Sequence, residues 1–300
     1  MTITLGIVTP TYNQAQFVRQ TMESVLSQEG DFSIDYIVIN DGATDSTKEV
    51  LDQCKRDFDE GRIPKKCNEV AFRVVHRENR GQTPTINQGL SMVRGNVLAW
   101  MNSDDYYLPG AFQAVADTYR EDPSVDFFYA DCLKVREGSD KKPTIEPRPR
   151  PDETLKSLRE RGNSFDMNFF TRRIIEKVGY PDESLNYCMD LDLWFRIFSA
   201  GKAKYVPYTV AAFRIWPGSK TSRKQAEFAK ERAAIAARYG GNIIPSRKIY
   251  QWRGRQKYLD VLQKRLPFLY WIGKNLFYGI VDLFKYQPKK TTNPSSRPSD

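Results

Sequence analysis

Asp104 and Asp105 stand side by side in LAWMNSDDYYLPGAF, residues 98–112, after an apolar run and just before a Pro-Gly break. Adjacent carboxylates repel, and both stay ionised only where positive charge lies between them. Hard oxygen ligands favour Mg2+ or Mn2+ over zinc. A cation held by only one or two carboxylates keeps room for water and phosphate oxygens. A nucleoside diphosphate is the natural third party. The same pair would also suit a solvated turn in which an aspartate caps a helix starting near Pro109.

Other chemistries lack their residues. No Gly-x-x-x-x-Gly-Lys-Ser/Thr cradle is present, and the first apolar run leads into TPTYNQAQF rather than a Gly-x-Gly-x-x-Gly turn. His76 is the only histidine, and no Gly-x-Ser-x-Gly elbow surrounds a serine, which leaves a Ser-His-Asp triad without support. Cys54, Cys67, Cys132 and Cys188 show neither CxxC spacing nor neighbouring histidines. What remains is carboxylate chemistry assisted by a metal.

The elements that must position these carboxylates alternate. ITLGIVT (3–9), IDYIVIN (34–40), AFRVVH (71–76) and NVLAWMN (96–102) read as buried strands. AQFVRQTMESVLSQ, STKEVLDQCKRDF and TPTINQGLSMVRG between them have helical spacing. This order predicts an α/β fold, a mostly parallel Rossmann-like sheet with right-handed crossovers and helices on both faces. Ligands of such sheets sit beyond the carboxyl ends of the strands, where Thr9–Asn13, Asn40–Asp45 and Asn102–Asp105 all fall.

Farther along, VREGSDKKPTIEPRPRPDE (135–153) reads as an exposed loop or linker. LNYCMDLDLWFRIFSAG (185–201) is the clearest later helix, AKYVPYTVAAFRIW suggests a strand pair, and RKQAEFAKERAAIAARYG a helix ending at glycine.

Taken together, IVTPTYNQAQFVRQTMESVLSQ, YIVINDGATDST, NRGQTPTINQGLSMVRGNVLAWMNSDDYYLPGA and MDLDLWFRI resemble the inverting glycosyltransferases of family 2, which have the GT-A fold. The resemblance runs from about Thr2 to Ser222, with the motifs in order. It implies a catalytic domain over 1–222, with a nucleotide-sugar half (1–134) and an acceptor half (153–222). It also implies sugar transfer from a nucleoside diphosphate to an acceptor hydroxyl with Mn2+ or Mg2+, in polysaccharide or glycolipid assembly.

Site roles follow from the resemblance. Tyr12 would lie by the donor base, with Thr9, Pro10 and Thr11 shaping its turn. Asp41 would accept from an imide N–H, favouring a UDP-sugar, with a dTDP-sugar the other candidate. Asn87 would reach ribose or base, or simply belong to a polar helix face. Arg80 and Gly81 would face phosphate. Asp105 would be the first metal ligand, with Asp104 by the ribose or joining the metal. Asp190 would be the general base. Asp192, roughly 200° away around the helix, would be an anchor. Many family members carry a metal-binding histidine where this chain has Trp216, so Arg214, Ser219 and Lys220 are left as diphosphate contacts. A sugar-1-phosphate nucleotidyltransferase and a non-catalytic nucleotide-sugar binder stay open as alternatives.

Charge divides the chain. The formal net charge of +9 falls entirely beyond Pro245, and the residues before it balance. Residues 223–300 therefore read as a helical, basic C-terminal extension. Within it LPFLYWIGKNLFYGIVDLF (266–284) suits a helix lying in an anionic membrane surface, or one packed on its own domain or a second subunit as a homodimer. A nucleic-acid partner would explain the basic tail but none of the aspartates. Scattered cysteines, and an N-terminus that leads directly into a strand, suggest a cytoplasmic protein, peripheral at the inner face of the membrane.

Overall fold

The computed structural model describes residues 2–140, 142–146, Leu158 and 167–241. The apolar runs form β1 (Thr4–Thr11), β2 (Glu29–Asp41), β3 (Lys66–Arg77) and β4 (Val97–Trp100). They are joined by α1 (Val18–Leu26), α2 (Thr47–Asp59) and α3 (Gln82–Met92). Every pairing among these strands is parallel, in the order β3-β2-β1-β4. The carboxyl ends of β1, β2 and β4 thus point to the same side.

The second half adds β5 (Tyr106–Tyr107), α4 (Ala111–Glu121), β6 (Phe127–Arg136), β7 (Thr144–Glu146) and β8 (Phe169–Thr171). After these come α5 (Arg172–Val178), α6 (Met189–Ala200), β9 (Ala203–Ile215), α7 (Lys220–Arg223) and α8 (Gln225–Arg238). The sheet continues from β4 through β8, β6 and β9 to β5. Here β8 runs antiparallel to both β4 and β6, so the sheet is mixed beyond its first four strands.

Two local expectations change. Residues 203–215 form one strand, not a pair. Its register against β6 shifts at Asp131, and the irregularity lies opposite Pro207, which has no N–H for a regular ladder. Part of the expected linker is β7, which pairs with β6.

Side chains alternate across β1 and fill two cores. Leu5 and Ile7 pack with Val18, Met22, Leu51 and Phe112 on one face. Val8 packs with Ile86, Leu98, Trp100 and Trp194 on the other. Gly89 lets α3 lie on the strand, since a Cβ there would meet Val8 Cγ1 at 2.3 Å.

The last described helix docks on α6. Ile235 and Ala236 are buried, and the Phe195 and Tyr239 rings stack at 4.5 Å. Tyr239 also donates its hydroxyl to Asp192 Oδ1 at 2.8 Å. Among the described residues, no helix is long and apolar enough to cross a membrane. The basic tail and the 266–284 segment lie outside the described residues.

Candidate active site

A cavity of about 900 Å3 opens at the carboxyl ends of β1, β2 and β4. Its walls join Pro10–Gln14, Asp41 and Asn102–Asp105 to Tyr187–Leu191 and to residues of α7 and α8. Parallel strands converging on one crevice produce this arrangement.

Asp41 ends β2 and is 3% exposed. Its Oδ1 accepts from Arg77 Nε at 2.8 Å and from the Arg80 amide at 3.0 Å, and its Oδ2 from the Gly81 amide at 2.8 Å. The amides of Arg80 and Gly81, expected to face phosphate, are therefore spent on Asp41. Among the described residues, Oδ2 accepts only the Gly81 amide and keeps a lone pair on a carboxylate that lines the cavity.

The two adjacent aspartates differ sharply. Asp105 is 2% exposed, and its Oδ1 accepts the Arg214 amide at 2.7 Å. Thr21 Oγ1 on α1 donates to the carbonyls of Ser103 and Asp105 at 2.9 and 2.6 Å, fixing the turn from below. Asp104 faces the cavity, and its Oδ2 accepts the Trp216 indole N–H at 2.9 Å. Burial raises the Asp104 pKa from its ordinary value, and the Trp216 N–H offsets part of that rise. Arg214 is not a free diphosphate contact. It is 6% exposed, donates to the Asp104 carbonyl and Gln20 at 2.7 Å each, and lies 4.3 Å from the Phe17 ring centre.

Asp190 sits in the first turn of α6 and lines the cavity from the opposite wall. Asp192 points away, taking Arg196 Nε and the Tyr239 hydroxyl at 2.8 Å each. The start of α6 is held by Glu231 of α8. Its Oε1 accepts the amides of Tyr187 and Cys188 at 2.8 and 2.7 Å, and its Oε2 that of Asn186 at 3.2 Å. Burial pushes the Cys188 thiol up to about 12, so it stays protonated.

Pro10, Thr11, Tyr12, Asp41, Asp104, Asp105 and Asp190 are thus brought to one cavity. Thr9 and Asn87 are not in its lining. Thr9 is fully buried behind the turn and bonds Tyr36 at 2.9 Å. Asn87 ties α3 to the Pro181 carbonyl at 3.0 Å and to Glu183 at 2.8 Å. His76 bridges Asn40 and Asp52, a packing role. Sequence reasoning missed Glu231 and Arg232. Their one signal was the i, i+3, i+4, i+7 face of Phe228, Glu231, Arg232 and Ile235.

Among the described residues, no group of three or more His, Cys, Asp or Glu could hold a metal. The chemistry still fits a hard divalent cation that takes most ligands from phosphate and water. Asp104 offers a desolvated carboxylate whose Oδ1 has no partner from another described residue.

The model of the family described as Glycosyl transferase family 2 matches residues 6–179. The chain belongs to this family. It is 26% identical over 200 residues to a glycosyltransferase of Rickettsia prowazekii, covering 65% of this chain and 58% of that one. The chain spans about three-fifths of the length of the first such relatives.

Solved structures share the family 2 fold, which is GT-A. TarS of S. aureus in complex with UDP-GlcNAc aligns with TM-score 0.59 at 15% identity, covering 78% of this chain and 66% of that one. A mannosyltransferase of Pyrobaculum calidifontis in complex with GDP-Man and Mn2+ aligns with TM-score 0.58 at 17% identity, covering 96% and 82%. The family match ends before α6, so Asp190 and Glu231 lie outside it.

Proposed function

We propose that this chain transfers a sugar from a nucleoside diphosphate sugar to an acceptor hydroxyl with inversion at the anomeric carbon. The observation that carries this reading is one cavity lined by both Asp41 and Asp104 on one wall and Asp190 on the other. Nucleotide sugars bound to the TarS and mannosyltransferase neighbours support it.

Tyr12, 48% exposed at the end of the first strand, offers a ring face to the donor base. The open lone pair of Asp41 suits an imide N–H, which uracil and thymine both present, so a UDP-sugar is favoured and a dTDP-sugar is the second choice. Asp104 is the better metal ligand and Asp105 its buried support, because Asp105 is 2% exposed and holds the Arg214 amide, whereas Asp104 lines the cavity with an oxygen that no other described residue claims. This reverses the order expected from the motif. A bound Mn2+ or Mg2+ would offset the charge of the diphosphate. The metal in the mannosyltransferase neighbour supports such a cation.

In the transfer step the Asp190 carboxylate takes the acceptor hydroxyl proton while that oxygen attacks the anomeric carbon. The bond from that carbon to the phosphate oxygen breaks on the opposite face, and the diphosphate leaves with the electron pair. A single attack inverts the centre. A nucleotidyltransferase has less support, since TPTYNQAQF is not Gly-rich and the family match is to glycosyl transferases. A non-catalytic binder would have no use for Asp190 in the cavity. Assembly of a polysaccharide or glycolipid, and residues 1–222 as the catalytic domain, belong to the same proposal.

The test is a panel of nucleotide sugars scored for Mn2+-dependent diphosphate release, with wild type and Asp190→Asn. Release that falls at least a hundredfold in the variant, with unchanged UDP affinity, supports the reading. Equal rates with a normal pH profile would remove Asp190 as the base.

A further inference from the structure

The proposed donor end of the cavity holds Asp41 and Asp104, and the lining that includes Asp190 is also basic. Lys220, Arg223, Lys224 and Arg232 all belong to that lining. Lys224 is paired with Glu227 at 3.1 Å. Among the described residues, Lys220, Arg223 and Arg232 make no ion pair. Glu231, next to Arg232, does not neutralise it, because both of its oxygens are turned to the amides that start α6. The partner of the Arg232 guanidinium is the Cys188 thiol, a weak acceptor.

These cations do not share one task. Lys220 reaches Gln82 Oε1 at 3.3 Å, and Gln82 in turn donates to Asn102 at 3.0 Å, on the turn that carries Asp104. Lys220 also donates to the Asn186 carbonyl and lies 5.2 Å from the Tyr187 ring centre, so it joins the Asp104 turn to the segment that enters α6. Arg232, on α8, and Lys224, just before that helix, line the cavity together with Tyr187 and Phe228, which pack edge to face at 5.1 Å.

A nucleoside diphosphate ester and a divalent cation nearly cancel each other, so the donor leaves Arg232 and Arg223 uncompensated. An anionic group on the acceptor would balance those cations, and guanidinium is the side chain best matched to phosphate oxygens. We propose that the subsite beside Asp190 takes an acceptor bearing a phosphate ester near its reactive hydroxyl, with Arg232 and Lys224 as its anion contacts. The proposal rests on the glycosyl-transfer reading for the word acceptor, but the anion site itself does not.

Calorimetry on the full chain tests it, with the donor end filled by saturating UDP and Mn2+. Glycerol 3-phosphate probes a soluble phosphate ester, dodecyl phosphate in detergent micelles a lipid-borne one, and glycerol is the neutral control. At least one phosphate probe should bind while glycerol does not, and the tighter of the two identifies the source. Arg232→Gln and Lys224→Gln should each weaken that binding about tenfold or more, and Arg232→Lys should weaken it less, with UDP affinity unchanged in all three.

Failure of both phosphate probes to bind the UDP-loaded chain would overturn the proposal, as would competition between UDP and the probe. Undiminished binding by Arg232→Gln would do the same, and so would an adventitious ion only, in which chloride or sulfate displaces the probe at equal concentration. A chain that binds glycerol 3-phosphate through Arg232 but never binds UDP would strike the donor reading and leave the anion site standing.

Discussion

Glu231 Oε1 accepts the backbone N–H of Cys188 at 2.7 Å, two residues before Asp190. A carboxylate from α8 therefore holds the three residues that lead into α6, whose own N-cap residue makes no side-chain cap bond. Replacing Glu231 with Ala frees three amides and lets the first turn of α6 fray. Such a cap loss costs about 1–2 kcal/mol of stability. The expected result is a fall of about tenfold to a hundredfold in kcat for sugar transfer with donor affinity unchanged. A variant with normal kcat and a lowered Tm would make the contact purely structural.

The two adjacent aspartates should separate in experiment. Asp104→Asn removes the cavity-facing charge, and Mn2+-dependent binding of UDP should fall at least tenfold while Tm stays close to wild type. Asp105→Ala leaves the buried Arg214 amide unpaired, which costs about 1–3 kcal/mol. Calorimetry and thermal melts on both variants read the difference. Equal loss of metal-dependent binding without loss of stability in Asp105→Ala would restore Asp105 as the ligand.

Trp216 occupies the place from which a histidine could reach a metal, and its N–H is spent on Asp104. Trp216→His supplies an imidazole nitrogen at that loop. The half-saturating Mn2+ concentration, measured with UDP present, should fall about tenfold. No change would mean that the loop does not approach the cation.

Docking of α8 has a pH signature at Tyr239. Burial, and then the bond to the Asp192 carboxylate, push its phenol up to about 12 from an ordinary 10.0. Above pH 10 the unfolded chain ionises first, so this contribution is complete below about 10 and is lost as pH climbs toward about 12. Tyr239→Phe should flatten the decline of Tm with pH over that window relative to wild type. Parallel curves for the two proteins would assign the alkaline loss to other tyrosines.

The strand runs, the helical spacing between them and the polar residues at strand ends were legible in the chain. Alternation and periodicity are local properties, and parallel β-α-β order fixes which ends meet. That is why the motifs alone pointed to Tyr12, Asp41, Asp104 and Asp190, which line one cavity. Local pattern could not say that 203–215 stays one strand across Pro207, because the register shift is set by β6, far away in sequence.

Tertiary structure decided which carboxylates are free. Asp104 and Asp105 are equivalent in sequence, yet the Arg214 amide, more than a hundred residues on, claims one and the Trp216 indole touches the other. Thr9 and Asn87 fall outside the cavity lining for the same kind of reason, because they bond Tyr36 and the Pro181 carbonyl. Arg232 lines the cavity and Glu231 braces the segment behind it because α8 folds back on α6. A chain specifies its hydrogen-bonding groups by type and spacing. Which of them remain available to a ligand depends on partners that only the folded chain brings within 3 Å or so.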